Sequence, residues 1–121
     1  MSSDDFRIMA LSLPEVVESA HMEHPDFRVG GRIFASLGYP EEGWGVVMLS
    51  AEGQKRLCEA EPEVFVPVKG AWGRSGSTQV NLKAAKKTSV RAALRAAYEE
   101  RVRKNGKRSS HKGTKTQRKK A

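Results

Sequence analysis

A chain of 121 residues, of which 38% are hydrophobic, is long enough for one domain with its own core. The single cysteine excludes an intrachain disulfide, so nothing requires an oxidising compartment and a cytoplasmic location is expected. No run approaches the roughly 18 apolar residues of a membrane span. The N-terminal segment is unlike a signal peptide, because its first charges are acidic and polar residues interrupt its apolar ones.

The net charge of +8 is distributed unevenly along the chain. The first 100 residues carry twelve Lys or Arg and all fourteen Asp or Glu, which gives them a net charge near −2. Residues 101–121 carry ten Lys or Arg and no acidic residue. A concentrated basic segment of this kind is typical of proteins that bind nucleic acid or another polyanion.

The N-terminal segment is predicted to form a short helix over residues 4–13, and Pro14 either ends it or starts a second short turn through Glu18. Asp4 and Asp5 suit the positive end of the helix dipole, and Ser2 or Ser3 can cap it. The apolar side chains that recur at helical spacing are Phe6, Met9, Ala10 and Leu13.

The next segment predicts a β-hairpin with a two-residue turn at Gly30-Gly31. Runs with β propensity lie on both sides, and the glycines supply the positive φ angles of a type I′ turn. This register pairs Val29 with Arg32, Arg28 with Ile33 and Phe27 with Phe34.

The middle of the chain alternates between strand and helix signals. Residues 44–49 are an apolar run that predicts a buried strand, and residues 50–60 predict a helix capped by Ser50. Short strands are expected at residues 64–67 and 78–82, joined by a glycine-rich loop.

The clearest helix is predicted over residues 88–103, and the basic tail follows it. From residue 105 the chain has no aliphatic residue before Ala121, so we expect this segment to be disordered in the free protein. We therefore predict an α+β domain over residues 1–104, with an antiparallel sheet and N-terminal, middle and C-terminal helices, followed by a tail over residues 105–121.

Several of these segments together resemble the MmcQ/YjbR family of small bacterial proteins. The resemblance begins with ALSLPEV at residues 10–16, includes FRVGGRIF at residues 27–34, and continues through the loop around Trp72 to the helix that contains Tyr98. It implies a CyaY-like fold, in which hairpins form paired wings, and a DNA-binding role without catalytic residues. The basic tail lies outside the family pattern.

Two loops carry cations that could meet nucleic acid. Arg28 and Arg32 flank the hairpin turn, where they suit phosphate contacts or, alternatively, pair with Asp26 or Glu41. Trp72 lies between two cations, where it suits stacking on a base or, alternatively, covers one end of the sheet. The candidate nucleic-acid-binding residues are Arg28, Arg32, Lys69, Trp72, Arg74, Lys107, Arg108, Lys112, Lys115, Arg118, Lys119 and Lys120.

Signals for metal or enzyme chemistry are weak. His21, Glu23, His24 and Asp26 are close in sequence, but zinc sites need three or four well-placed ligands. Cys58 lies on the inward side of a predicted helix, which favours an unreactive thiol, and neither a nucleophile elbow nor a P-loop is present. We therefore predict no catalytic residue, metal ligand or cofactor.

The leading hypothesis is a sequence-tolerant, non-enzymatic DNA-binding protein, in which tail and hairpin cations contact phosphates. It would be monomeric or weakly dimeric, in the cytoplasm or associated with the nucleoid. The alternative is a protein- or ligand-binding adaptor that its basic tail localises. Cations that share one face with the tail exit would favour DNA binding. An apolar pocket near Trp72 and Trp44 would favour the adaptor.

Overall fold

The structure is a computed structural model that describes the backbone of residues 1–112 and the side chains of residues 1–106. Its helices are α1 (Ser3–Leu11), α2 (Ala51–Ala60), α3 (Ala71–Arg74) and α4 (Lys87–Lys112). Its strands are β1 (Val17–His21), β2 (His24–Val29), β3 (Arg32–Leu37), β4 (Trp44–Met48), β5 (Phe65–Pro67) and β6 (Ser77–Asn81). They form one antiparallel sheet in the order β1-β2-β3-β4-β6-β5. The predicted α+β class, with N-terminal, middle and C-terminal helices, is confirmed.

Helices α1 and α4 pack together on one face of the sheet, and the core lies beneath them. The ring of Phe6 in α1 contacts Phe27 in β2, with centroids 6.1 Å apart. The ring of Tyr98 in α4 meets Phe34 in β3 edge-on at 5.7 Å. Because side chains alternate along a strand, Asp26 and Arg28, the neighbours of Phe27, face the other side of the sheet.

The β2–β3 hairpin has the predicted turn, with φ angles of +61° at Gly30 and +79° at Gly31. The first two predicted pairs, from Val29 and Arg28, are also confirmed. The third is wrong, because a bulge pairs Phe27 with Ala35 instead of Phe34. The extra residue lets Phe34 and Ala35 both enter the core, which strict alternation would not allow.

Strand β1 replaces the short turn expected after Pro14. It pairs along its whole length with β2, at the edge of the sheet. Its turn to β2 consists of Met22 and Glu23, which have φ angles of +49° and +67°. The sequence VESAH has little apolar pattern and the turn has no glycine, so neither usual strand signal was available.

The capping predictions for α1 and α2 are confirmed. The hydroxyl of Ser2 accepts a hydrogen bond from the Asp5 N–H, and the Asp5 carboxylate accepts one from the Ser2 N–H. The hydroxyl of Ser50 accepts a hydrogen bond from the Gly53 N–H at 3.0 Å. These caps satisfy N–H groups that have no partner within the helix.

Helix α4 continues to Lys112, beyond the predicted end at Arg103. Lys and Arg are good helix formers, and a lone Gly106 is not enough to stop the helix. Asn105 also donates from Nδ2 to the carbonyl of Val29 at 3.2 Å, which ties α4 to the hairpin turn. Residues 105–112, expected to be disordered, are therefore helical here, and the expectation for residues 113–121 lies outside the described residues. No helix in the described part of the chain is long and apolar enough to cross a membrane.

Candidate functional site

Three exposed cations lie at the end of the sheet to which α4 also runs. Because neighbouring strands are antiparallel, the end of β2, the start of β3, the end of β4 and the start of β6 meet there. Arg32 begins β3, Lys69 precedes α3, and Arg74 is the last residue of α3, shortly before β6. We call these three residues the loop cations, because each borders a turn or loop. Asn105 brings α4 to the same end through its bond to Val29. We call Arg32, Lys69, Arg74 and the part of α4 from Asn105 onward the cationic end.

The loop cations of the cationic end have no carboxylate partner among the described residues. Arg32, Lys69 and Arg74 are all exposed, and none of them takes part in an ion pair there. By contrast, Arg103 and Lys104 both pair with Glu100, at 3.0 and 3.6 Å. The three loop cations can therefore contact an anion without breaking an existing ion pair.

Arg28 pairs with Asp26, which is one of the two alternatives that the sequence analysis gave for it. Its Nε and Nη2 donate to the two carboxylate oxygens of Asp26 at 2.8 and 3.1 Å. The Asp26 side chain is fully buried, whereas that of Arg28 is one-third exposed. The spacing of two residues along β2 puts both side chains on one face, a signal present in the sequence.

The buried carboxylate of Asp26 also fixes the orientation of His21, which the sequence did not single out for this role. Nδ1 of His21 lies 2.8 Å from Oδ2 of Asp26. The hydrogen bonds from Arg28, and then those from His21, hold the pKa of Asp26 below its ordinary value, although burial opposes the shift. Because the carboxylate is ionised, Nδ1 acts as the donor, and Nε2 is left without a hydrogen bond to any described residue.

A cavity of about 400 Å³ opens on the sheet face opposite α1 and α4. Ser36 and Val46 are cross-strand partners on this face, as are Met48 and Ser77. We call this the open-face cavity. Its polar lining residues are His21, His24, Ser36 and Ser77, and its apolar and aromatic lining residues are Met22, Tyr39, Val46, Met48, Val68 and Trp72.

Trp72 belongs to this cavity because α3 forms inside the predicted glycine-rich loop. Gly73 packs so closely on the carbonyl of Val68 that a Cβ atom there would overlap it. Gln54 of α2 holds the segment by donating to the carbonyls of Gly73 and Ser77, at 2.8 and 3.1 Å. The Trp72 side chain remains 71% exposed, so it lines the cavity without being buried in the core. Its predicted stacking on a base stays a prediction.

The β1–β2 turn beside the cavity is strained. Met22 and Glu23 both have φ in the left-handed region, where residues other than glycine are uncommon. Such strain costs on the order of 1–3 kcal/mol per residue. A two-residue hairpin turn requires positive φ at both central residues, so the pairing of His21 with His24 accounts for the conformation. The side chain of Met22 is 87% exposed.

The histidines and carboxylates considered for metal binding, and Cys58 considered as a nucleophile, lie in surroundings that do not favour those roles. Within the described residues, no group of three or more His, Cys, Asp or Glu could hold a metal ion. Cys58 is partly buried on α2, and this burial raises the pKa of its thiol. A raised pKa leaves less of the reactive thiolate at neutral pH.

Comparison with known proteins establishes the family. The model of the YjbR family matches residues 11–100. The chain belongs to the YjbR family. The crystal structure of the Deinococcus radiodurans protein DR2400, with the domain DUF419, has the same fold, with a TM-score of 0.66 and 20% identity over 80% of this chain and 75% of that chain. No curated protein matches the sequence.

The region that matches the YjbR family contains the whole open-face cavity but only part of the cationic end. All residues that line the open-face cavity fall between residues 21 and 77, inside the matched region. The three loop cations also lie inside it, whereas Asn105 and the rest of the basic segment lie beyond residue 100. The basic segment is therefore an addition to the YjbR domain as the family model describes it.

Proposed function

We propose that the protein is a sequence-tolerant, non-enzymatic nucleic-acid-binding protein whose cationic end contacts phosphates. One observation carries the proposal: three exposed, unpaired loop cations lie at the end of the sheet to which the basic part of α4 runs. This is the arrangement expected if the domain and the basic segment face one polyanion together. DNA is the partner that the chemistry favours first, since a duplex presents phosphates at regular, close spacing.

The affinity would come mainly from charge. Residues 101–121 carry ten Lys or Arg, and Arg32, Lys69 and Arg74 add three from the domain. Cations that neutralise phosphates release counterions, so binding falls steeply with salt. Phosphate contacts carry no base information, which accounts for the proposed tolerance of sequence. Arg28 is left out of this group because it pairs with Asp26.

A salt titration with a random-sequence duplex tests the proposal on the full-length protein. If about six cations neutralise phosphates, log K should fall against log salt with a slope of about −5. A variant that ends after Asn105 should bind far more weakly, with a shallower slope. Replacing all three loop cations with alanine should make the full-length slope shallower by about 2–3.

A matched control removes three charges elsewhere. Lys83, Lys86 and Arg91 are exposed and follow the opposite end of β6. Their triple alanine variant should leave the slope within about 1 of the original. Equal losses in the two triple variants would rule out the cationic end as the binding surface. A full-length protein that ignores DNA at low salt would refute nucleic-acid binding altogether.

The alternative, an adaptor for a ligand or a protein, also has a specific observation in its favour. The open-face cavity is largely apolar and contains Trp72, which is the feature that the sequence analysis named as favouring an adaptor. In that case the basic segment would localise the protein, and the variant that ends after Asn105 would keep its ligand.

A further inference from the structure

We propose that the open-face cavity binds an uncharged small molecule that has an aromatic ring and one hydroxyl or N–H group. The inference rests on the adaptor alternative and gives it a ligand class. It does not involve the loop cations, because no Lys or Arg lines the cavity.

The size and the lining of the cavity suit a small molecule. Its volume of about 400 Å³ falls within the usual range for such sites, which are mostly apolar with a few placed polar groups. Trp72 and Tyr39 offer flat faces for a ring, and Met22 and Met48 are adaptable, polarisable neighbours. An aromatic ligand therefore finds both stacking and dispersion contacts there.

The charge of the site selects an uncharged ligand. None of the lining residues is Asp, Glu, Lys or Arg. The nearest buried charge, Asp26, is already neutralised by Arg28. An ion that entered the cavity would lose hydration without meeting a countercharge, which is costly.

His21 supplies the group that would orient the ligand. Asp26 engages its Nδ1, so in the neutral ring Nε2 is an acceptor, and it makes no hydrogen bond to a described residue. A hydroxyl or N–H group on the ligand is the matching donor. The carboxylate behind the ring fixes the tautomer, as carboxylates do behind functional histidines.

One further feature of the site indicates that it is a ligand site and not merely an incidental hollow. Three large apolar side chains around it are exposed, at 87% for Met22, 71% for Trp72 and 45% for Tyr39. Exposed apolar groups gathered at one place mark interaction sites.

The test uses N-phenyl-1-naphthylamine, an uncharged aromatic probe with one N–H group, on full-length protein. The rise in probe fluorescence measures binding in every variant. In a Trp44→Phe background Trp72 is the only tryptophan, so energy transfer from Trp72 shows that the probe binds on the same domain. Binding should saturate at one probe per chain. Trp72→Ala and Met22→Ser, both at exposed positions, should each weaken binding by about fivefold or more without changing the melting temperature.

Matched probes and a matched variant make the test specific. The N-methylated probe, which has no N–H, should bind about threefold or more weakly, and the sulfonated anilinonaphthalene, an anion, about tenfold or more weakly. Ile8→Ser removes an equally exposed apolar side chain from α1, on the other face, and should leave binding unchanged.

Three results would overturn the inference. These are binding that does not saturate, an equal loss in Ile8→Ser, and displacement of the probe by a single-stranded oligonucleotide, which would assign the cavity to a base. Failure of the probe with intact DNA binding refutes only the cavity ligand. Saturable probe binding without DNA binding at low salt refutes only the nucleic-acid proposal.

Discussion

Replacing Asp26 with asparagine would test the charged network behind the cavity. The buried carboxylate accepts two hydrogen bonds from Arg28, at 2.8 and 3.1 Å, and one from His21, at 2.8 Å. Asparagine has nearly the same shape, but one of its two terminal groups is an NH2. In either orientation that NH2 group faces an N–H donor, so at least one hydrogen bond becomes a contact between two donors.

The expected loss follows from these contacts. A hydrogen bond that involves a charged group contributes about 1.5–3 kcal/mol, and an unsatisfied buried donor costs about 1–3 kcal/mol. Arg28 and His21 are one-third or more exposed, so water would restore part of this loss. We therefore expect Asp26→Asn to lower the unfolding free energy by about 1–3 kcal/mol at neutral pH.

The same network predicts how the loss depends on pH. Hydrogen bonds from Arg28, and then from His21, lower the pKa of Asp26 from its ordinary value of 3.8. Because the pKa is lower in the folded protein, the stabilisation is present above the ordinary value and is lost as pH falls through the folded value. Asparagine does not titrate. The stability difference between the two proteins should therefore shrink as the pH falls below about 4.

Urea unfolding followed by circular dichroism, at several pH values, measures this difference. Asp4→Asn is the control, because it removes an exposed carboxylate that pairs with Arg7 at 3.5 Å in the first turn of α1, and it should cost less than about 1 kcal/mol. If Asp26→Asn is as stable as the original protein at neutral pH, or if the difference grows in acid, the reasoning about this network is wrong.

Four further substitutions and one truncation test the turn, the C-terminal helix and α3. Gly31→Val should cost about 1–3 kcal/mol in urea unfolding, because a β-branched residue is strained at φ +79°, and Gly30→Val should also displace the side chain of Asn105. Ending the chain after Asn105 should leave the melting temperature nearly unchanged. Asn105→Ala should lower the melting temperature, because it removes the hydrogen bond to Val29. Slow hydrogen exchange in residues 113–121 would contradict the expected disorder. Gly73→Ala should lower both the melting temperature and the affinity for the naphthylamine probe, since its Cβ would displace the carbonyl of Val68.

Features that depend only on residues close together in the sequence could be predicted from the sequence. Ser50 caps a helix because its hydroxyl reaches an N–H three residues on, and Gly30-Gly31 forms the turn that tolerates positive φ. Strand β1 could not be predicted in this way, because an edge strand needs no continuous apolar run and its turn at Met22 and Glu23 contains no glycine. The helix end was misjudged because loss of apolar pattern removes tertiary contacts without removing helix propensity.

The candidate surfaces depend on long-range pairing, and this limited their prediction. The cations beside turns could be identified because turns lie at the surface, and Arg32 is indeed exposed. The contact between His21 and Asp26 required knowledge that β1 pairs with β2. The open-face cavity brings together residues from His21 to Ser77, from strands whose order no local pattern specifies.

The geometry of α4 gives the nucleic-acid proposal its strongest physical basis. Val90, Leu94 and Ala97 hold the first half of the helix in the core, and Asn105 fixes it at the hairpin turn. At a rise of 1.5 Å per residue, the helix from Asn105 to Lys112 extends only about 10 Å further. The basic part of α4 therefore begins beside the hairpin turn that Arg32 follows. Residues 1–100 have a net charge near −2, so the ten Lys or Arg of residues 101–121 supply most of the attraction for a polyanion.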